Sequence, residues 1–153
     1  MWDLSNEDVY ISYLPYTHSF EQVLFAGTLI TGMRVGYYQG DPLKLTDDCA
    51  QLQPTLFPSV PRLYNRIYDK IKKKFADTTG CKAWLVNNAV ESKVDGLAAN
   101  PLRAEYDSYF YDKLVFKKVA ALLGGKVRYM LTGSAPIDQK VLQFLKIAFC
   151  CPI

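Results

Sequence analysis

The sequence contains one histidine, His18, and no C-x-x-C pair among its four cysteines, which are Cys49, Cys81, Cys150 and Cys151. Zinc sites of familiar spacing combine several such ligands, so the sequence argues against one. Cys150 and Cys151 are adjacent, which disfavours a disulfide between them. We therefore expect four reduced thiols in a protein that faces the cytosol.

The sequence also lacks a secretory signal and a long apolar run. No basic segment followed by an apolar one occurs near the start. The longest nearly continuous apolar stretch, Val23–Met33, is much shorter than the ~20 residues that span a bilayer. These features predict a protein that is not secreted and does not cross a membrane. The ending FCCPI has no capping glycine or polar tail, which predicts that the sequence is part of a longer chain.

The sequence also has only a small excess of positive charge. The net charge is +3 over 153 residues, with 22% charged and 50% apolar residues. The apolar fraction is enough for one core and is not typical of a disordered chain. A charge this small indicates nucleic acid only where basic residues cluster, and no aromatic stacking platform accompanies the single cluster. We expect no nucleic-acid partner.

Hydrophobic periodicity predicts strands and helices that alternate. The predicted strands are Val9–Leu14, Arg34–Gln39, Thr55–Phe57 and Lys126–Leu131. Helices are predicted at Phe20–Thr31, from Thr46 to Pro54, after Pro61, at Ala83–Val94, at Ser108–Leu123 and after Asp138. Residues 76–107 form a less regular insert. This alternation predicts an α/β fold with a mainly parallel sheet and helices on both faces.

Two helices carry specific expectations. Phe20–Thr31 is apolar on nearly every face, which predicts a buried helix, and Gly32 suits its carboxyl-terminal cap. Thr46, followed by Asp47 and Asp48, is predicted to cap the next helix, because its hydroxyl can accept from free backbone N–H groups.

Ligands of parallel sheets gather beyond the carboxyl ends of strands, which directs attention to His18 and to the turn Thr132–Pro136. His18 is either a capping or packing residue or a ligand contact. In the turn, Gly133 could let backbone approach a ligand and Ser134 offers a hydroxyl, although a plain tight turn explains the same residues.

Two other motifs are weak. Gly124-Gly125-Lys126 lacks the Ser or Thr and the upstream glycine of a phosphate loop, so a helix stop explains it. No G-x-S-x-G elbow accompanies His18, which argues against a hydrolase triad. One helix face is basic, and it is either a solvated surface or a contact for anionic lipid; its residues are Arg62, Arg66, Lys70, Lys72, Lys73 and Lys74.

Four stretches together resemble long-chain fatty acyl-CoA synthetases of the adenylate-forming superfamily. They are YISYLPYTHSFEQV, RVGYYQGD, PTLFPSVPRLYNRIYDKIKKKF and DKLVFKKVAALLGGKVRYMLTGSAPI. The resemblance covers nearly all of residues 1–153, most weakly at 76–107. It implies an internal fragment of the AMP-binding (adenylation) domain, a partial subdomain of the large domain.

The resemblance implies the reaction of the whole enzyme. A fatty carboxylate attacks the α-phosphate of ATP to give an acyl-adenylate and pyrophosphate, and the thiol of CoA then displaces AMP. Mg²⁺ offsets the phosphate charge. Long-chain fatty acid, ATP and CoA are the implied partners. The implied location is the cytoplasm or the cytoplasmic side of endoplasmic reticulum or peroxisomal membranes.

The resemblance also assigns residues. His18 would lie near the reacting carboxylate or phosphate, within a loop whose Tyr16, Thr17 and Glu21 belong to an acyl gate. Some relatives have a gating tryptophan where this sequence has Gln22, a departure from the family pattern. The implied adenine and acyl pocket residues are Gly133, Ser134, Ala135 and Pro136.

Other parts of the implied machinery are not in the sequence, namely the phosphate loop, the Tyr-Gly-x-Thr-Glu segment, the ribose-binding aspartate and the catalytic lysine. We expect the fragment alone to be inactive. Two alternatives stay open: another adenylate-forming ligase, and a non-catalytic α/β module that docks on membranes or partners.

Overall fold

The structure is a computed structural model that describes residues 3–99, 115–133 and 135–153, without the side chains of residues 81, 82 and 95–99. Its strands are β1 (Val9–Ser12), β2 (Arg34–Tyr37), β3 (Leu56–Ser59) and β4 (Tyr129–Thr132). Its helices are α1 (Ser19–Thr31), α2 (Leu45–Leu52), α3 (Pro61–Ala76), α4 (Cys81–Ala99), α5 (Lys117–Ala120) and α6 (Gln139–Phe149), with a 3₁₀ turn at Ala121–Leu123.

The four strands form one parallel sheet in the order β2-β1-β3-β4. The predicted α/β class and parallel sheet are confirmed. The chain steps from β1 outward to β2, then returns past β1 to β3 and continues to β4. The strand order therefore reverses between β1 and β3, and in doubly wound sheets the crevice at such a point is where ligands bind.

Helices cover both faces of the sheet. Alternate side chains of a strand point to opposite faces, so Tyr10 and Ile11 of β1 enter different cores. Tyr10 packs with Leu24 of α1 in a small core. Ile11 belongs to the large core, which α2, α3, α5 and α6 cover and which includes Phe57 and Met130.

The expectation that the first helix is buried is wrong. Only Glu21, Leu24 and Thr28 of α1 are buried, whereas Val23 is 69%, Leu29 74% and Ile30 86% exposed. One stripe of α1 packs on the sheet, and no other described element covers its outer side. Gly32 ends the helix with a φ of 73°, as predicted.

The helix boundaries differ locally from those expected. α2 begins at Leu45, one residue before Thr46, and its cap position Lys44 makes no side-chain cap bond. Asp47 and Asp48 lie in its first turn as expected. α4 runs for 19 residues through much of the stretch expected to be less regular. The predicted helix start at Ser108 lies outside the described residues.

Cys49 and Cys151 are buried free thiols. Burial raises the pKa of Cys49 and of Cys151 to about 12, so both stay protonated at neutral pH. Among the described residues no helix is long and apolar enough to cross a membrane.

The buried carboxylate of Asp8 joins the amino ends of three strands. Its Oδ1 accepts the Thr55 hydroxyl at 2.7 Å and Nη1 of Arg128 at 3.2 Å. Its Oδ2 accepts the Ser5 N–H at 2.9 Å. Burial by itself raises the pKa of Asp8, but these hydrogen bonds and the Arg128 charge outweigh it and hold the pKa below its ordinary value.

Asp8→Asn should lower the free energy of unfolding at pH 7 by about 2 kcal/mol, because it replaces charged hydrogen bonds with neutral ones. Because the pKa of Asp8 is lower in the folded than in the unfolded protein, the ionised carboxylate stabilises the folded state at pH values above the unfolded pKa of about 3.9. This stability is lost as the pH falls through the folded pKa. The gap between wild type and variant in urea unfolding should therefore be constant above about pH 5 and shrink below pH 4.

Glu7→Gln is the matched control, because Glu7 precedes Asp8 and is exposed. Equal loss of stability in the two variants, or a gap that does not change between pH 7 and pH 3, would contradict the role assigned to Asp8.

Candidate functional site

The carboxyl ends of β1 and β3 separate at the point where the strand order reverses. The two strands share one residue pairing, Tyr10 with Leu56, near their amino ends. Beyond it the connection is made by side chains: the Tyr13 hydroxyl donates to Oγ of Ser59 at 2.8 Å. Burial raises the pKa of Tyr13, so its hydroxyl stays a donor at neutral pH. This hydrogen bond therefore connects the two sides of the crevice.

Tyr64 on α3 fixes the neighbouring strand ends. Its buried hydroxyl lies 3.0 Å from the carbonyl oxygen of Phe57 and 2.9 Å from that of Leu131, so it ties α3 to both β3 and β4. Ser59 pairs with Thr132 in the sheet register. The Thr132 hydroxyl is buried and has no hydrogen-bond partner among the described residues.

His18 is the amino-terminal cap of α1. Its Nδ1 accepts the N–H of Phe20 at 3.2 Å, and its carbonyl accepts the N–H groups of Glu21 and Gln22 at 3.0 and 3.2 Å. An accepting Nδ1 carries no proton, so in neutral His18 the proton is on Nε2, which can donate to another group. The capping interpretation is confirmed, and ligand contact through Nε2 stays a prediction.

The loop before α1 is held by local contacts. Nε2 of Gln22 donates to the Tyr16 carbonyl at 3.1 Å, and the Tyr16 ring meets Phe25 edge to face at 5.8 Å. Tyr16 is 63% exposed, and Thr17 is exposed as well. Gln22 therefore anchors this loop to the first turn of α1.

Glu21 lies in the first turn of α1, and its side chain is buried against the sheet. The Ser12 hydroxyl donates to its Oε1 at 2.5 Å, while its Oε2 and the Tyr10 hydroxyl are buried without hydrogen-bond partners among the described residues. Burial raises the pKa of Tyr10, and the nearby Glu21 carboxyl raises it further. Glu21 therefore connects the start of α1 to β1, and its side chain is not part of an exposed gate.

The start of α1 contacts the end of β4. A Cβ built on Gly133 would lie 2.9 Å from Cε2 of Phe20, so the space that glycine leaves is filled by that ring. Ala135 and Pro136 are exposed beyond the strand, and Ser134 lies outside the described residues. The predicted segments around His18 and Gly133 are thus brought together, with Phe20 between them.

The predicted basic face lies on α3, away from this crevice. Arg66, Lys70, Lys73 and Lys74 are exposed. Lys72 differs, because its Nζ lies over the rings of Tyr68 and Phe144 at 5.8 and 5.2 Å. Lys72 is exposed as well, and it contacts Phe144 of α6 at the edge of the core.

Mg²⁺ prefers several carboxylate or other oxygen ligands in one place. The described residues contain no group of three or more acidic, histidine or cysteine side chains that could hold a metal ion. Glu21, the carboxylate nearest the crevice, is already bonded to Ser12. These residues do not fit a magnesium site, so no chemical step is assigned to a metal here.

The sequence profile of the AMP-binding enzyme family matches residues 1–153. The chain belongs to this family. It is 45% identical over 144 residues to the peroxisomal long chain acyl-CoA synthetase 6 of Arabidopsis thaliana, covering 94% of the chain and 20% of that relative. It is 43% identical over 145 residues to long-chain-fatty-acid--CoA ligase 1 of Homo sapiens, covering 95% and 20%.

The fold is also similar to a solved adenylation domain. The A domain of a carboxylic acid reductase from Segniliparus rugosus, solved with AMP and a co-purified carboxylic acid, superposes with a TM-score of 0.62 at 20% identity. The match covers 95% of this chain and 19% of that chain. The chain spans about a fifth of the length of the curated relatives it matches.

Sequence reasoning missed three residues of the crevice: Tyr13, Ser59 and Phe20. Tyr13 lies within the predicted strand Val9–Leu14, and Ser59 lies between the predicted strand Thr55–Phe57 and the helix after Pro61. A usable signal existed, because both are hydroxyl residues at the ends of strands that a doubly wound sheet places side by side. The sequence gives no such signal for Phe20, because only the folded structure shows that its ring packs against Gly133.

Gly133→Ala should destabilise the protein by about 1–2 kcal/mol, because the new methyl overlaps the Phe20 ring. In a Phe20→Leu background the same substitution should cost much less, giving a coupling energy of about 1 kcal/mol. Urea unfolding of the two single variants and the double variant measures this coupling.

Gly27→Ala is the control, because a Cβ at Gly27 meets no atom within 4 Å. On a helix that change should stabilise by about 0.5–1 kcal/mol. Additive effects of the Gly133 and Phe20 substitutions would show that the two residues do not pack as described.

Proposed function

We propose that the chain forms one wall of the acyl-adenylate pocket of an AMP-forming long-chain fatty acid:CoA ligase. ATP, CoA and a long-chain fatty acid are its substrates, and Mg²⁺ accompanies the ATP. The proposal rests on family membership and on the similarity to long-chain acyl-CoA synthetases over nearly the whole chain.

The observation that carries the proposal is the contact between Phe20 and Gly133 beside the strand-order reversal. It joins the loop of His18 to the turn Gly133–Pro136 at the carboxyl ends of the strands. A pocket there would have an apolar side made by Phe20, Leu24 and Leu131, which share the smaller core. Each acyl methylene buried on such a surface contributes about 0.8 kcal/mol.

In this proposal His18 has two tasks. Its Nδ1 holds the first turn of α1 in place, and its Nε2–H donates to the fatty carboxylate or to a phosphate oxygen of the adenylate. The turn Gly133-Ser134-Ala135-Pro136 lines the adenine and acyl side. Tyr16 and Thr17 are positioned at the entrance, where Gln22 fixes the loop that carries them.

The test separates capping from ligand contact. Asn is as good an amino-terminal cap as any residue and Ala is poor, so His18→Asn should keep the stability that His18→Ala loses, about 1 kcal/mol. Neither variant has an imidazole. In the full-length enzyme both should lower kcat/KM for palmitoyl-CoA formation about tenfold or more, since each lacks a charge-assisted donor. If His18→Asn had the kcat/KM of the wild type, the proposed ligand contact would be wrong and His18 would act only as a helix cap.

Two measurements, one on the 153-residue chain and one on the full-length enzyme, separate the alternatives. The 153-residue chain by itself should release no pyrophosphate from ATP and palmitate. A series of acids from C4 to C20 given to the full-length enzyme should show the highest kcat/KM among long chains. Preference for short or aromatic acids would indicate another adenylate-forming ligase.

A second role is supported by the outer face of α3, where Arg62, Arg66, Lys70 and Lys73 are exposed and spaced by three or four residues. We propose that this face makes a peripheral contact with anionic lipid at the cytoplasmic surface of the endoplasmic reticulum or peroxisome. The peroxisomal name of one relative accords with the second location. A basic residue near such a surface contributes about 1 kcal/mol.

Arg66→Glu combined with Lys70→Glu should reduce sedimentation of the full-length enzyme with phosphatidylserine vesicles about thirtyfold, as expected for loss of two such contacts. Lys44→Glu combined with Lys140→Glu makes the same change in net charge at exposed positions on other helices. Equal losses in both double variants would attribute binding to net charge, not to α3.

A further inference from the structure

A second cavity lies at the other end of the sheet. It is about 420 Å³ and is enclosed by the second half of α3, the first half of α4 and the segment Val115–Leu122. Its lining is mostly apolar and includes Ile71, Phe75, Val86, Val115, Val119 and Leu122. Phe75, Val86 and Leu122 are only partly buried, so their apolar surface is open to whatever enters the cavity.

The cavity is separate from the crevice of the candidate site. α3 starts beside the carboxyl end of β3 and runs for 16 residues, a length of about 24 Å at 1.5 Å per residue. The residues of α3 that line the cavity, from Ile71 onward, belong to its last part. The cavity also lies in the helix layer of the large core, whereas Phe20 and Gly133 lie on the face that α1 covers.

The charged lining residues of the cavity have one sign. Lys74 and Lys118 both line it, both are exposed, and no acidic residue is among the described lining residues. Its other polar lining side chain, Thr78, already donates its hydroxyl to the Lys74 carbonyl at 2.8 Å. A ligand there would meet an apolar interior and two ammonium groups, with few other polar partners.

We propose that this cavity binds a free long-chain fatty acid anion, with its chain among the apolar residues and its carboxylate between Lys74 and Lys118. The volume lies within the range of small-molecule sites, about 300–1,000 Å³. The described lining residues offer few polar partners for a nucleotide, and the two ammonium groups favour an anionic head over a neutral lipid. The site requires no ligase chemistry and stands apart from the strand-end pocket.

The experiment uses palmitate that carries a diazirine near its methyl end, photolysed with the full-length protein at low micromolar concentration. Mass spectrometry should find label in peptides of α3 and α4 that include Phe75 or Val86. Lys74→Glu combined with Lys118→Glu should reduce this label about tenfold, because each reversal replaces an attraction with a repulsion of similar size. Val86→Trp should abolish it by filling the cavity.

Lys117→Glu combined with Lys126→Glu is the matched control, because both lysines are exposed, neither lines the cavity and Lys117 adjoins the lining residue Lys118. Its label should stay within about twofold of wild type, since surface charges outside the site are screened. Circular dichroism and urea unfolding check that each variant folds.

Label confined to peptides of α1 or to residues 129–137 would overturn the proposal while supporting the strand-end pocket. Equal loss in both double variants, or unchanged label in a folded Val86→Trp protein, would also overturn it. Loss of cavity label with normal palmitoyl-CoA formation would support a site distinct from the catalytic one.

Discussion

The orientation of this sheet depends on one buried carboxylate. Asp8 holds Thr55 ahead of β3 and Arg128 ahead of β4 at 2.7 and 3.2 Å, so three strands start from a common point. With their amino ends fixed, β1 and β3 can diverge toward their carboxyl ends without loss of register. The crevice at the strand-order reversal follows from this arrangement, and the Tyr13–Ser59 hydrogen bond keeps it from opening further.

The candidate pocket and the basic face of α3 lie on opposite faces of the sheet. On one face of the sheet, α1 brings Phe20 against Gly133 and buries Glu21 beside Ser12. On the other face, α3 is fixed to the strands by Tyr64 and presents its charged side to solvent. A rigid sheet suits the function proposed for its strand ends, because reacting groups must be held in a fixed relative geometry.

Periodicity predicted the parallel α/β sheet and most elements, because alternating strands and helices leave few other arrangements. Periodicity did not predict the features that depend on tertiary contacts. β3 continues through Pro58 to Ser59, although proline is rare in central strands and the predicted strand stopped at Phe57. Apolar residues on nearly every face of α1 predict a buried helix, but its outer face has no described neighbour and is exposed. His18 could be named as important, but its cap bond to Phe20 is visible only in three dimensions.

Hydrogen–deuterium exchange of the full-length enzyme, with and without a non-hydrolysable palmitoyl-adenylate analogue, tests the central claim most directly. We expect protection of residues 13–22 and 132–137 together, since both segments would line one pocket. Amides near Asp8 and Arg128, at the other end of the sheet, should not change. Protection of one segment without the other, or protection confined to the amino ends of the strands, would contradict the account.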